Sequence, residues 1–237
     1  MTETLAALIL AHALADFVLQ TNGMVARKRE PAILALHGLV VLATAAAALG
    51  SASPWLLALA AAHLAVDAAK TRSGRSGIWP FLADQAAHGL TLVALALWQP
   101  ALWAQGIWAP CPVVPPLMVL TAGLIITTRA GGFAVGLLMA PWAAEAPQGL
   151  KDGGRLIGQL ERGLIYLLIL TGQAAGIGFL IAAKSVLRFS DTKDDRRISE
   201  YVIIGTLASV TWAIAVSCVT VVLLGHLTPL GIPDLTP

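Results

Sequence analysis

The chain is organised in long apolar runs separated by short polar connections. The runs lie near 5–19, 32–49, 54–69, 78–98, 113–140, 156–183 and 198–225. A helix crosses a bilayer core in roughly 20 residues or slightly fewer. The pattern therefore predicts an all-α, polytopic transmembrane bundle of about seven membrane segments. Composition points the same way: 57% of the 237 residues are hydrophobic and only 12% charged, against roughly 25% charge in soluble domains, and the mean hydropathy is +0.80. These values exclude an ordinary soluble enzyme. The net charge of +2 gives no basis for a nucleic-acid partner. Cys111 and Cys218 are far apart and lack metal-type spacing. The start of the chain lacks a basic segment, and its first apolar run already carries His12 and Asp16. It reads as a helix of the mature fold, not a cleavable signal.

Loop charge predicts orientation, because Lys and Arg collect on the cytoplasmic side. Arg27, Lys28 and Arg29 follow the first run, and Lys70, Arg72 and Arg75 follow the third. Connections 50–53 and 99–112 contain no Lys or Arg, so the amino terminus is expected outside. Seven spans would then place Lys184, Arg188, Lys193, Arg196 and Arg197 outside, against the rule, although Asp191, Asp194, Asp195 and Glu200 dilute that signal. A break at Arg129-Ala130-Gly131-Gly132 would reverse the assignment, so sidedness after residue 113 stays open at this stage.

The scarce polar residues follow a rule of their own. His12 and His63, Asp16 and Asp67, and His37 and His88 are each separated by 51 positions. Neighbours agree: Ala11-His12 aligns with Ala62-His63, and His37-Gly38-Leu39 with His88-Gly89-Leu90. The spacing predicts two parallel helical hairpins related by duplication. Residues 1–99 form this duplicated half, and 100–237 add further helices to the same membrane domain. The four histidines lie six to ten residues from the basic loops, which at 1.5 Å per residue puts them about 9–15 Å from the cytoplasmic boundary, in one layer.

An Asp at a helix centre costs about 2.5–3.5 kcal/mol to insert, so such residues are functional candidates. His12/Asp16, His63/Asp67 and Asp84/His88 are i,i+4 pairs, which share a helix face. Neutral imidazole and ionised carboxylate converging from several helices suit a divalent metal such as Zn, Mn or Fe. His12, Asp16, His37, His63, Asp67 and His88 are the candidate ligands. They suffice for one metal with supporting partners, or for two metals. A single His/Asp pair would read instead as interhelical glue. Asp84 and Gln85 have no counterpart one repeat earlier, where Ile33 and Leu34 stand. That asymmetry makes Asp84 the candidate general base. Lys70 either pairs with a carboxylate or snorkels to the interface, and Gln20 closes the first helix. Glu161 and Arg162 form an interfacial anchor or close the cluster from the cytoplasmic side.

The set His12-x3-Asp16-Phe17-x2-Gln20, His63-x3-Asp67-x2-Lys70, Asp84-Gln85-x2-His88, Gly154-Arg155-x-Ile157-Gly158-x-Leu160-Glu161-Arg162, and Ala182-Ala183-Lys184-Ser185 with Glu200-Tyr201 resembles the bacterial membrane family called domain of unknown function 3307. The resemblance implies a multi-pass protein of the bacterial inner membrane. It directs attention to Gln20, Lys70 and Arg162 as substrate contacts, to Glu161 beside Asp84 as a catalytic group, and to Lys184. It supplies no reaction.

The leading expectation is a metal-dependent membrane hydrolase acting on a lipid or lipid-linked substrate near the cytoplasmic leaflet. No Gly-x-Ser-x-Gly elbow, HExxH motif or P-loop favours another hydrolase class. The alternatives are a proton-coupled transporter or channel, which the repeat and the intramembrane titratable groups favour, and a structural membrane protein.

Overall fold

The computed structural model describes residues 1–145, 150–188 and 196–230. Among these the chain is helical, without strands. Asp191, Lys193, Asp194 and Asp195 of the charged connection lie outside the described residues. The helices are α1 (Thr2–Leu14), α2 (Asn22–Ala26), α3 (Pro31–Leu49), α4 (Trp55–Ser73), α5 (Ile78–Trp98), α6 (Val114–Ile125), α7 (Gly131–Met139), α8 (Gly153–Leu170), α9 (Ala175–Arg188) and α10 (Arg196–Leu224). Two π-helical turns continue helices: Ala15–Leu19 after α1 and Ile126–Ala130 between α6 and α7. Five helical segments are long and apolar enough to cross a membrane: Thr2–Leu19, Pro31–Leu49, Ile78–Trp98, Val114–Ala144 and Arg196–Leu224. The α4 helix falls outside this set because it carries His63, Asp67, Lys70 and Arg72.

The chain divides into two compact units. The first comprises Met1–Ile125 and Val222–Gly231, and the second is built on Ile126–Val221. In the first unit α1 packs on α3, α5 and α6, α3 on α4, and α4 on α5. Helices α1, α3, α4 and α5 thus close a ring. Its apolar half is filled by Ala7, Leu8, Ala11, Ala45, Ala48, Leu49, Leu56, Leu59, Leu92 and Ala96. Alanines on α1 and α3 let backbones approach, the usual means of packing helices where lipid removes the hydrophobic incentive. Large apolar side chains such as Leu39, Leu57, Leu90 and Leu97 point outward. Gly38 makes room at the α3/α4 contact, since a Cβ there would lie 2.7 Å from Leu64 Cδ1 and displace that side chain. Its counterpart 51 positions on, Gly89, faces open space, so any duplication is imperfect in its packing.

The second unit corrects one expectation. The apolar run 156–183 is not a single crossing. Gly172, at φ +72°, ends α8. The Gln173 N–H donates to the Leu168 carbonyl at 2.7 Å and the Gly172 N–H to that of Ile169 at 3.1 Å, the paired bonds of a glycine-stopped helix. The α9 helix then folds back along α8: Gly176 packs on Leu168, and Lys184 Nζ meets Glu161 Oε2 at 2.7 Å. Ile165, Ile177 and Ala213 form this unit's core. The interruption expected at Arg129 to Gly132 is also not a chain reversal, because helix continues through the π-helical turn from α6 into α7.

Candidate metal centre

Ring closure by α1, α3, α4 and α5 brings the polar residues of all four helices together. His37, His63, His88, Asp67 and Asp84 are buried, as is His12, and the Asp16 side chain is 7% exposed. Asp16 occupies the π-helical turn, where one extra residue per turn re-aims side chains and functional groups often sit.

At the centre, Asp16 Oδ1 lies 3.4 Å from His37 Nε2 and 3.3 Å from His63 Nε2. Asp67 Oδ2 lies 3.4 Å and 3.5 Å from the same two nitrogens. The nitrogens are 3.1 Å apart. A tetrahedral ion with bonds of about 2.0–2.1 Å has ligand-to-ligand edges about 1.63 times longer, roughly 3.3–3.4 Å. The four nitrogen-to-oxygen separations lie near that edge. The two imidazole nitrogens stand at hydrogen-bond distance from each other, while Asp16 Oδ1 and Asp67 Oδ2 are buried without a hydrogen-bond partner. Asp16, His37 and His63, from α1's π-helical turn, α3 and α4, thus form one group of donor atoms within 4.8 Å of one another.

The rest of the cluster surrounds this point. Lys28 Nζ donates to Asp67 Oδ1 at 2.5 Å, which orients the other carboxylate oxygen inward. His12 Nε2 contacts Gln85 Oε1 at 3.2 Å. Asp84 Oδ2 accepts from Lys70 Nζ at 2.8 Å and Gln85 Nε2 at 3.0 Å. Asp84 Oδ1 has no partner and lies 3.9 Å from His88 Nδ1. Gln20 Nε2 is likewise buried without a partner. Lys28 and Arg29 also line a cavity of about 390 Å³ with Leu34, Ala68, Thr71 and Arg72.

Every ligand candidate is thus gathered into one cluster, with Asp84 and Lys70 at its edge. Lys28 is the contributor that the sequence pattern does not reveal. It stands among three basic loop residues, 39 positions from Asp67, and nothing local ties the two together. Glu161 and Arg162 belong to the second unit. There Arg162 donates from Nε to the Thr127 carbonyl (3.0 Å), from Nη1 to Ser209 Oγ (3.1 Å) and from Nη2 to the Thr128 carbonyl (2.9 Å). The Trp212 indole donates to the Ile126 carbonyl. Consecutive carbonyls of the π-helical turn are held by these two side chains. Arg162, Glu161 and Lys184 share a cavity of about 440 Å³ with Arg155 and Tyr201.

These features define a helical protein of membrane-compatible composition with a buried His/Asp cluster. Residues 4–108, which contain the whole cluster, match the family model described as Protein of unknown function (DUF3307). No curated protein and no solved structure matches the chain.

Proposed function

We propose that the chain is a metal-dependent integral-membrane enzyme, a hydrolase acting on a lipid or lipid-linked substrate near the cytoplasmic leaflet of the bacterial inner membrane. The observation that carries the metal is the packing of His and Asp donor atoms into groups of three within 4.8 Å of one another, with Asp16, His37 and His63 at the centre. Imidazole and carboxylate donors suit zinc, manganese or iron. Such an ion also offsets the cost of keeping two carboxylates in an apolar bundle. A bound ion would supply an acidified water as nucleophile toward an acyl or phosphoryl centre. Asp84 Oδ1, buried without a partner, is the group that would take the water's proton and return it to the departing oxygen. Lys70 and Gln85 hold the other oxygen of Asp84 and so fix its aim. An anionic headgroup is supported by the cavity lined by Lys28, Arg29 and Arg72, since Lys28 belongs both to that cavity and to the Asp67 contact. Gln20 completes the substrate end.

In this reading α4 crosses the membrane with its polar residues turned to the cluster, and α1 to α5 form two parallel hairpins related by the 51-residue offset. The α8/α9 hairpin returns Lys184 beside Glu161, so the basic residues that follow stay on the side where α8 began. That side is cytoplasmic by loop charge, which removes the conflict that seven crossings create.

The test is elemental analysis of the detergent-purified full chain beside His37→Ala and His63→Ala, with monodispersity checked for each. Stoichiometric zinc, manganese or iron, lowered in both variants, is expected. Release of headgroup or acyl product from anionic vesicles by the wild type, and not by Asp84→Asn, tests the hydrolytic step. A well-folded, metal-free wild type purified without chelators overturns the reading. It would favour a proton-coupled transporter, which has its own support in the contacts linking Lys28, Asp67, His63 and Asp16, and His12, Gln85, Asp84 and Lys70.

A further inference from the structure

The 51-residue offset exchanges Asp16 with Asp67, His12 with His63, and His37 with His88. Applied to the set Asp16, Asp67, His37 and His63, it returns both aspartates with His88 and His12 in place of the first two histidines. The cluster contains the pieces of that second set. His12, Asp16 and His88 each offer one donor atom, and the three lie within 4.8 Å of one another. The His12 and His88 rings are 5.1 Å apart, centre to centre. Nδ1 of both histidines is buried without a hydrogen-bond partner. Desolvating such nitrogens is unfavourable unless something binds them.

The two aspartates differ in how they are held. Asp67 is fixed by Lys28 through one oxygen. The corresponding lysine position for Asp16 is Trp79, which is 77% exposed. Among the described residues no lysine pairs with Asp16, whose Oδ1 faces His37 and His63 of the first set and lies 3.9 Å from His12 Nδ1 of the second. Each set has three donors within 4.8 Å of one another, Asp16, His37 and His63 in one and His12, Asp16 and His88 in the other, the number that leaves a position for water. The unpartnered Asp84 Oδ1 stands 3.9 Å from His88 Nδ1, a member of the second set.

We infer that the cluster binds a second divalent cation of the same oxygen- and nitrogen-preferring class, held by His12, His88 and Asp16, with Asp16 bridging it to the first. This rests on the proposed metal centre and moves the water-activating step to the second ion, where Asp84 receives the proton. Two-metal hydrolytic centres with ions about 3.5–4 Å apart clamp the attacking and leaving oxygens of a displacement, which suits a phosphoester substrate.

Metal content of the purified full chain separates the claims. Two ions per chain are expected in the wild type, falling to one in His88→Ala. One ion in the wild type, unchanged in His88→Ala, overturns this inference and leaves the proposed metal centre standing; no ion overturns both. Should His88→Ala fail to fold, electron paramagnetic resonance of manganese-loaded wild type decides alone. A spin-coupled pair signal supports the bridged centre, and an isolated six-line mononuclear signal overturns it.

Discussion

Each unit buries a polar cluster beside a π-helical turn, and the two clusters are built on opposite principles. In the second unit Arg162 is 3% exposed, and its Nε, Nη1 and Nη2 each meet an oxygen at hydrogen-bond distance. The glycines around it make the room: a Cβ at Gly158 would lie 3.1 Å from Nη1, and one at Gly132 3.3 Å from Nη2. In the first unit six cluster residues, His12, Asp16, His37, Asp67, Asp84 and His88, each keep a buried polar atom without a partner. Five of them, all but Asp84, fall with His63 into groups of three donors within 4.8 Å of one another. Buried polar groups normally complete one another. Where they do, as at Arg162, they are a packing device. Where they converge and stay incomplete, they mark a site.

That contrast can be broken or sharpened by experiment. The largest effect is expected at His63, which faces Asp16, Asp67 and His37 at once. An ion present at about 1,000 times its Kd adds about 4 kcal/mol of stability. Chelator should therefore lower the thermal midpoint of the wild type markedly and leave His63→Ala unmoved; equal shifts in both would remove the distinction between the clusters. Arg162→Ala should cost about 3 kcal/mol by leaving the Thr127 and Thr128 carbonyls unpaired, with metal content unchanged. Denaturation in detergent with parallel elemental analysis checks it, and metal loss would show that Arg162 is no mere clamp. Lys28→Met should weaken metal affinity about 10–100-fold, as loss of a group orienting a ligand does, read by competition with a chromophoric chelator. The smallest effect compares the two glycines that the 51-residue offset pairs. Gly38→Ala should destabilise by about 1–2 kcal/mol through the clash with Leu64, whereas Gly89→Ala should be neutral or slightly stabilising. Equal costs at both would mean that the two positions pack alike.

Much of the cluster is legible in sequence because an ionisable residue in an apolar run is conspicuous, and because a fixed offset ties His12, Asp16 and His37 to His63, Asp67 and His88. Helical period does the rest, placing i,i+4 pairs on one face. What the sequence conceals is long-range or subtle. Lys28 joins Asp67 from a loop whose charge reads equally well as a topological signal. The fold-back at Gly172 hides inside a run whose hydropathy hardly changes, since a helix stop needs only one residue at positive φ. The π-helical turn that aims Asp16 leaves no compositional mark. Glu161 and Arg162 show the converse, since their charge draws attention in sequence but their contacts lie wholly within the second unit.

The most direct test of the metal centre is X-ray absorption at the metal edge of the purified chain. The account predicts a first shell of nitrogen and oxygen alone at about 2.0–2.1 Å, with imidazole scattering that falls in His37→Ala and no sulfur contribution, because Cys111 and Cys218 are both exposed and stand outside the cluster. A shell containing sulfur, or one unchanged in His37→Ala, would contradict it.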